Sequence, residues 1–147
     1  MNQMPISEVE IPGLSLWRRG KVRDIFSLGD KLLIVATDRL STFDVVLPTP
    51  IPDKGRILTQ MTLKWLKLTR SLVSDHFVSD QVQDFVSLSR EQADCLKGRS
   101  MVVKRAEVIP VECVARGYLS GSAWADYQRN GEVCGVKLPA GLRQCDA

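Results

Sequence analysis

The chain has 147 residues, enough for one modest core or two small lobes. It is 44% hydrophobic and 25% charged with a net charge of +3, an ordinary globular composition whose basic excess is too mild to define a nucleic-acid protein by itself. No stretch approaches the ~18 apolar residues of a membrane span, and the N-terminal MNQMPISEVEIPG lacks the basic and apolar regions of a signal peptide, so a soluble, cytoplasmic chain is expected.

Taken in order, KVRDIF (21–26) and LLIVAT (32–37) are β-prone runs separated by SLGDK, whose Gly-Asp pair predicts a hairpin. In DRLSTFDVVLPTPIPDKG the prolines at 48, 50 and 52 forbid a helix and predict a loop. Residues 56–72 form the clearest helix: Leu58, Met61, Trp65, Leu68 and Leu72 recur on one face, with Lys64, Lys67 and Arg70 roughly opposite. HFVSD and FVSLS are short strand candidates, and SREQADCLKG is a helical turn ending at Gly98. SMVVKRAEVIPVECVARGYL predicts two strands split near Pro110. A short helix follows over 122–130, closed by Asn130-Gly131, and then one strand and a Pro/Gly loop. Strands, a helix and more strands, without regular alternation, predict an α+β fold with a mostly antiparallel sheet. GxGxxG and GxxxxGK[ST] are both absent.

Cysteines stand at 95, 113, 134 and 145 without a C-x-x-C pair, and His76 is the only histidine. A structural zinc site is disfavoured and reduced thiols are expected.

Three constellations carry chemistry. In WRRGKVRDIF, Gly20 precedes Lys21 at a strand start, and Lys21 and Arg23 alternate onto one face. That pattern fits a polyphosphate-binding strand or a solvated basic one; with only Trp17 alongside, it is thin support for base stacking. In TDRLSTFDVVLP, Asp38, Arg39, Ser41 and Asp44 cluster after an apolar strand, which suits either small-molecule contacts or turn chemistry. In PVECVARGYLSGSAW, Glu112 and Arg116 share one face of an extended strand but lie about 13 Å apart along it, too far for a tight ion pair. Each then needs its own partner, because an unpaired buried charge is costly. Gly117, Gly121 and Ser122 lead into the next helix, whose N-terminus could cradle a phosphate beside Arg116 or be simply capped by the serine.

GKVRDIF, ATDRLSTFDVVLP, ILTQMT, MVVKRAEVIPVECVARGYLSGSAW and KLPAGL together resemble the phosphoribosylaminoimidazole-succinocarboxamide synthase (SAICAR synthetase) family, from about Trp17 to Ala147. The resemblance implies a two-lobed, distantly kinase-like fold with an antiparallel ATP-covering sheet: a first lobe over 1–102, then the hinge and start of a second, incomplete lobe over 103–147. It implies a ligase of purine biosynthesis that uses ATP and Mg²⁺ to join carboxyaminoimidazole ribonucleotide to L-aspartate. ATP would convert the imidazole carboxylate to an acyl phosphate, which the aspartate amine attacks. Gly20, Lys21 and Arg23 would cover the ATP phosphates, and the backbone of Val103, Lys104, Arg105 and Ala106 would meet the adenine. Glu112, Arg116, Gly121 and Ser122 would form the ribonucleotide site, and Asp38, Ser41 and Asp44 would lie near the imidazole and aspartate.

Family members run well beyond this length, and their later acidic-His and D-x-K-x-E-F-G segments are absent here. The chain is therefore expected to be the N-terminal part, to hold no metal ligands of its own and to lack ligase activity alone. Exposed apolar surface is expected, with association into homo-oligomers or with a missing C-terminal part. The competing reading is a nucleotide-binding or interaction module that keeps the fold without the reaction. No nucleic acid or membrane partner is expected.

Overall fold

The computed structural model describes residues 4–111 and 113–147. Apolar alternation and turn chemistry produce the elements of the first unit, Met1–Glu107. These are β1 (Leu16–Arg19), β2 (Arg23–Leu28), β3 (Lys31–Ala36), β4 (Ser41–Thr42), β5 (Val45–Val46), α1 (Lys54–Thr69), β6 (Phe77–Ser79), a 3₁₀ turn (Val82–Asp84), α2 (Arg90–Leu96) and β7 (Ser100–Lys104). The Gly29-Asp30 hairpin forms as expected, with Leu28 opposite Lys31 and Arg23 opposite Ala36. Five strands make an antiparallel sheet in the order β1-β2-β3-β7-β6.

Side chains alternate across this sheet. One face carries Phe26, Leu33, Val35 and Val102, packed against Val9, Ile11, Val82 and Leu96. The other carries Leu32, Met101 and Val103, with Ile25, Ile34 and Phe77 partly covering them. Each fully buried aliphatic side chain contributes about 1.5–3 kcal/mol. Helix α2 begins with a capping box, Ser89 and Gln92 bonding each other's backbone N–H. FVSLS forms no strand among the described residues; its start instead follows the 3₁₀ turn, where Phe85 N and Val86 N both donate to Val82 O.

Helix α1 covers most of the helix expected over 56–72 but ends at Thr69, before Leu72, and its apolar stripe faces outward. Gly55 and Thr59 are its buried residues, whereas Leu58, Met61, Trp65, Leu68 and Leu72 are each at least 41% exposed. The rotation is set by backbone approach. A Cβ on Gly55 would lie 2.2 Å from Ala36 O, so this turn of α1 sits directly on the end of β3.

The loop expected over 38–55 contains a small hairpin, β4–β5, turned by Phe43 (φ 43°) and Asp44 (φ 68°). Two positive φ angles suit a primed turn, a position that Asn and Gly fill more readily than Phe and Asp.

The two compact units part at 107/108, and the division expected at 102/103 would cut through β7, which pairs with β3 on one side and β6 on the other. The second unit, Val108–Ala147, contains α3 (Ser122–Asn130), ended by left-handed Gly131 as expected, and the hairpin β8 (Glu132–Val133)–β9 (Val136–Lys137). Tyr127 ties this unit together: its hydroxyl donates to Pro139 O at 2.8 Å and accepts from Leu142 N at 3.0 Å. Among the described residues after Pro110 the expected strand is not formed. Its described residues find no neighbouring strand, and a period-2 apolar run without a ladder partner stays irregular. Val111 and Val114 are exposed accordingly. Glu112 lies outside the described residues.

Candidate anion-binding site

The tip of the β1–β2 hairpin is built by residues far along the chain. Gly20 N donates to Arg23 O at 2.8 Å, closing the turn over Lys21 and Val22. Arg39, only 8% exposed, reaches beneath it. Its Nη2 donates to Gly20 O at 2.8 Å and its Nε to Lys21 O at 3.0 Å. Val22 O accepts from Thr37 N at 3.0 Å and Thr37 Oγ1 at 2.9 Å. All three carbonyls of the tip thus point inward.

A trans peptide places N–H opposite C=O. With Gly20 O and Lys21 O held by Arg39, the N–H groups of Lys21 and Val22 point away from it. Neither makes a hydrogen bond among the described residues. Two successive outward N–H groups form a concavity of the kind that can receive an anion, and Lys21 and Arg23 stand at this turn and just after it.

Arg39 is itself anchored. Its Nη2 lies 2.8 Å from Asp24 Oδ1, and Nη1 donates to Ser7 O. Asp24 is fully buried and also meets Arg19 Nε at 3.3 Å and Val9 N at 3.2 Å. Sequence reading put Arg39 in the cluster without a role, and Asp24 had no visible signal beyond being a charge within a strand.

Asp38, expected near the substrate, is fully buried and occupied. Its Oδ1 accepts from Gly55 N at 2.9 Å and Arg99 Nη1 at 3.0 Å, and its Oδ2 from Ile6 N at 2.8 Å. Burial raises its pKa, but the bonds from Ile6, Arg99 and Gly55 more than offset this and hold the carboxyl below its ordinary range. Asp38 therefore joins the start of α1 to the sheet; no free oxygen faces a ligand. The buried Arg99 that pairs with it carried no sequence signal.

Ser41 lies half-buried in β4. Asp44, at the tip of that hairpin, binds Lys21 Nζ at 2.5 Å, and this contact holds its carboxyl below the usual range. The structure thus brings Gly20, Lys21, Arg23 and Asp44 to one place. Val103 is buried in the sheet, Lys104 N donates to His76 O, and Arg105 N donates to Asp30 O. Beyond β7, Ala106 N has no partner among the described residues. The Arg105 guanidinium sits 5.4 Å over the Trp17 ring.

In the second unit, Arg116 and Ser122 line one cavity of about 760 Å³, together with Tyr118, Leu138 and Leu142. Gly121 precedes Ser122 with φ 58° and ψ −132°, so glycine, not the serine, stands at the N-cap. Cys95 is half-buried, and burial pushes its thiol pKa up, which makes it a poor nucleophile. Among the described residues no group of three or more His, Cys, Asp or Glu is gathered to hold a metal ion. None of their helices is long and apolar enough to cross a membrane.

An antiparallel sheet flanked by helices, its first hairpin carrying Gly20, Lys21 and Arg23, defines an α+β domain with a candidate anion site. Residues 16–147 match the SAICAR synthetase family, and the chain belongs to that family. It is 54% identical over 139 residues to the phosphoribosylaminoimidazole-succinocarboxamide synthase of Syntrophobacter fumaroxidans, covering 95% of this chain and 46% of that protein. The enzyme of the same name from Pelobacter propionicus is 50% identical over 142 residues, covering 97% and 48%. A solved SAICAR synthase superposes with a TM-score of 0.89 at 39% identity, covering 96% of this chain and 50% of that one. A SAICAR synthase from Saccharomyces cerevisiae complexed with SAICAR gives 0.86 at 39% identity, covering 95% and 50%. The SAICAR synthase fold implied by the sequence is thus the observed one. The chain spans about half the length of the curated relatives it matches.

Proposed function

We propose that this chain carries the ATP-covering lobe of a purine-biosynthesis ligase that condenses carboxyaminoimidazole ribonucleotide with L-aspartate. The observation that carries the reading is the inward turn of the Gly20 and Lys21 carbonyls, which leaves the Lys21 and Val22 N–H groups aimed outward at a turn that also carries Lys21 and Arg23. ATP, when bound, supplies the phosphoryl group that activates a carboxylate. The hairpin's own part is to hold the β- and γ-phosphates and neutralise their charge, which is most of what phosphoryl transfer asks of a protein. The adenine would sit by the strand exit near Ala106. Arg116 and Ser122, sharing one cavity, are the groups to hold a ribose phosphate.

Among the described residues no group of three or more His, Cys, Asp or Glu is gathered that could hold a magnesium ion without the substrate's own oxygens. Binding without turnover is accordingly expected of the chain alone, and this is what the reading shares with a nucleotide-binding module. Titration calorimetry with ATP and with the imidazole ribonucleotide separates the two. The ligase reading expects both to bind, with Lys21→Met weakening ATP and Arg116→Met weakening the ribonucleotide. Binding of ATP alone would favour the module, and binding of neither would remove both readings. A coupled ADP-release assay that detects turnover dependent on both substrates would contradict the expected inactivity.

A further inference from the structure

Beneath the hairpin, between the sheet and α1, lies a small cavity of about 30 Å³ lined by Arg23, Ile34, Ala36, Lys54, Thr59 and Met101, among others. Lys54 is the first residue of α1 and is half-buried; neither it nor Arg23 makes a side-chain hydrogen bond or ion pair among the described residues. Thr59 is only 2% exposed, yet its Oγ1 has no hydrogen-bond partner among the described residues.

Two cations, the half-buried Lys54 and the exposed Arg23, meet at one mainly apolar cavity, and among the described residues no carboxylate contacts either; an anion between them would offset their mutual repulsion. Asp38, whose charge acts on Lys54, is already committed to Arg99, Gly55 and Ile6. The electrostatics agree. Burial lowers the Lys54 pKa, the Arg23 charge lowers it further, Asp38 opposes the shift and Arg39 adds to it. The unpartnered Thr59 hydroxyl supplies a donor at the same cavity.

We propose that Lys54 and Arg23 together bind one oxyanion of the ligand, phosphate or carboxylate, making Lys54 a binding residue of this site. The proposal rests on the reading above that the hairpin binds an anionic substrate. Lysine suits the role because its single mobile ammonium can reach from a helix start toward an incoming oxygen.

The test follows Lys54 itself in the full 147-residue chain. The ¹³Cε and ¹⁵Nζ signals of labelled lysine are assigned by comparison with Lys54→Met and titrated against pH. Four probes are added in turn: tripolyphosphate, ATP, L-aspartate and imidazole-4-carboxylate. The expected result is an upward shift of the Lys54 titration midpoint by about one pH unit with the phosphate probes or with the carboxylate probes, whichever source the site takes. Lys54→Met should weaken that same probe about tenfold with unchanged circular dichroism, and Lys54→Arg should recover part of the loss. Should tripolyphosphate and ATP bind through Lys21 while the Lys54 midpoint stays put with every probe, the Lys54 proposal fails and the hairpin reading stands. Movement of Lys54 with a carboxylate probe alone, when neither phosphate probe binds, would remove the nucleotide reading and keep the oxyanion site. No binding of any probe overturns both.

Discussion

Arg39 and Asp24 form a buried ion pair, 2.8 Å between Nη2 and Oδ1, directly under the tip of the β1–β2 hairpin. The pair joins the segment after β3 to the start of β2, and the same guanidinium holds the Gly20 and Lys21 carbonyls. Removing one partner of a buried pair leaves the other charge uncompensated, at a cost of about 3–5 kcal/mol. Arg19 Nε, 3.3 Å from Asp24, keeps some compensation in place. Arg39→Met is therefore expected to cost about 3 kcal/mol, read by urea denaturation. Arg39→Lys should restore part of the stability but little ATP affinity, because lysine cannot bond two adjacent carbonyls in a fixed fork.

Acid should weaken the fold through Asp38. Its folded pKa lies below the ordinary value near 3.8, so the stability it contributes is complete above that value and is lost as pH falls through the folded pKa. Asp38→Asn, which leaves Arg99 buried without its charge partner, should cost about 3–5 kcal/mol at pH 7. The gap between wild type and variant is expected to narrow as pH falls from the ordinary value near 3.8 through the lower folded pKa, where the wild-type carboxyl also loses its charge. Urea midpoints across pH 7 to 2 measure this, and a constant gap would contradict it.

Gly55 is expected to tolerate no side chain. The added Cβ of Gly55→Ala would meet Ala36 O at 2.2 Å and Thr37 O at 3.0 Å, both backbone atoms that cannot turn aside. A loss of about 3 kcal/mol or more is expected, at the upper end of overpacking costs. Thermal denaturation reads it. Gly20→Ala is the control, where the nearest atom lies at 3.3 Å.

The outward stripe of α1 should contribute little to the stability of this chain. Trp65→Gln and Leu68→Ser, at 62% and 59% exposure, are expected to change stability by no more than about 0.5 kcal/mol. Leu33→Ala, in the fully buried sheet core, should cost about 2–5 kcal/mol. Equal losses at all three would mean that the stripe is buried in solution.

Asp44 competes with any anion for Lys21. Asp44→Asn removes an exposed pairing of the kind worth a fraction of a kcal/mol and should tighten tripolyphosphate binding about two- to fivefold. The effect should shrink as salt is raised. Weaker binding in the variant would instead make Asp44 part of the ligand site, as the sequence resemblance implies.

By itself the sequence determined the β2–β3 hairpin, the existence of a helix expected over 56–72 and found over 54–69, the helix over 122–130, and the family, because each rests on local turn chemistry, periodicity or an unbroken run of residues. Lys21 and Arg23 could be picked out for the same reason, being adjacent in one strand start. Tertiary structure alone decided the rest. Asp38 read as a ligand contact, yet bonds from residues 32 and 61 positions away bury it as a strut. The face of α1 that looks inward follows from the backbone contact between Gly55 and Ala36, which overrides the apolar stripe. The apolar run after Pro110 needed a neighbouring strand that its own residues could not provide. The outward N–H groups of Lys21 and Val22 depend on Arg39, about 18 residues away. No periodicity records a contact of that kind, because it exists only once the β2–β3 hairpin has folded the two segments together.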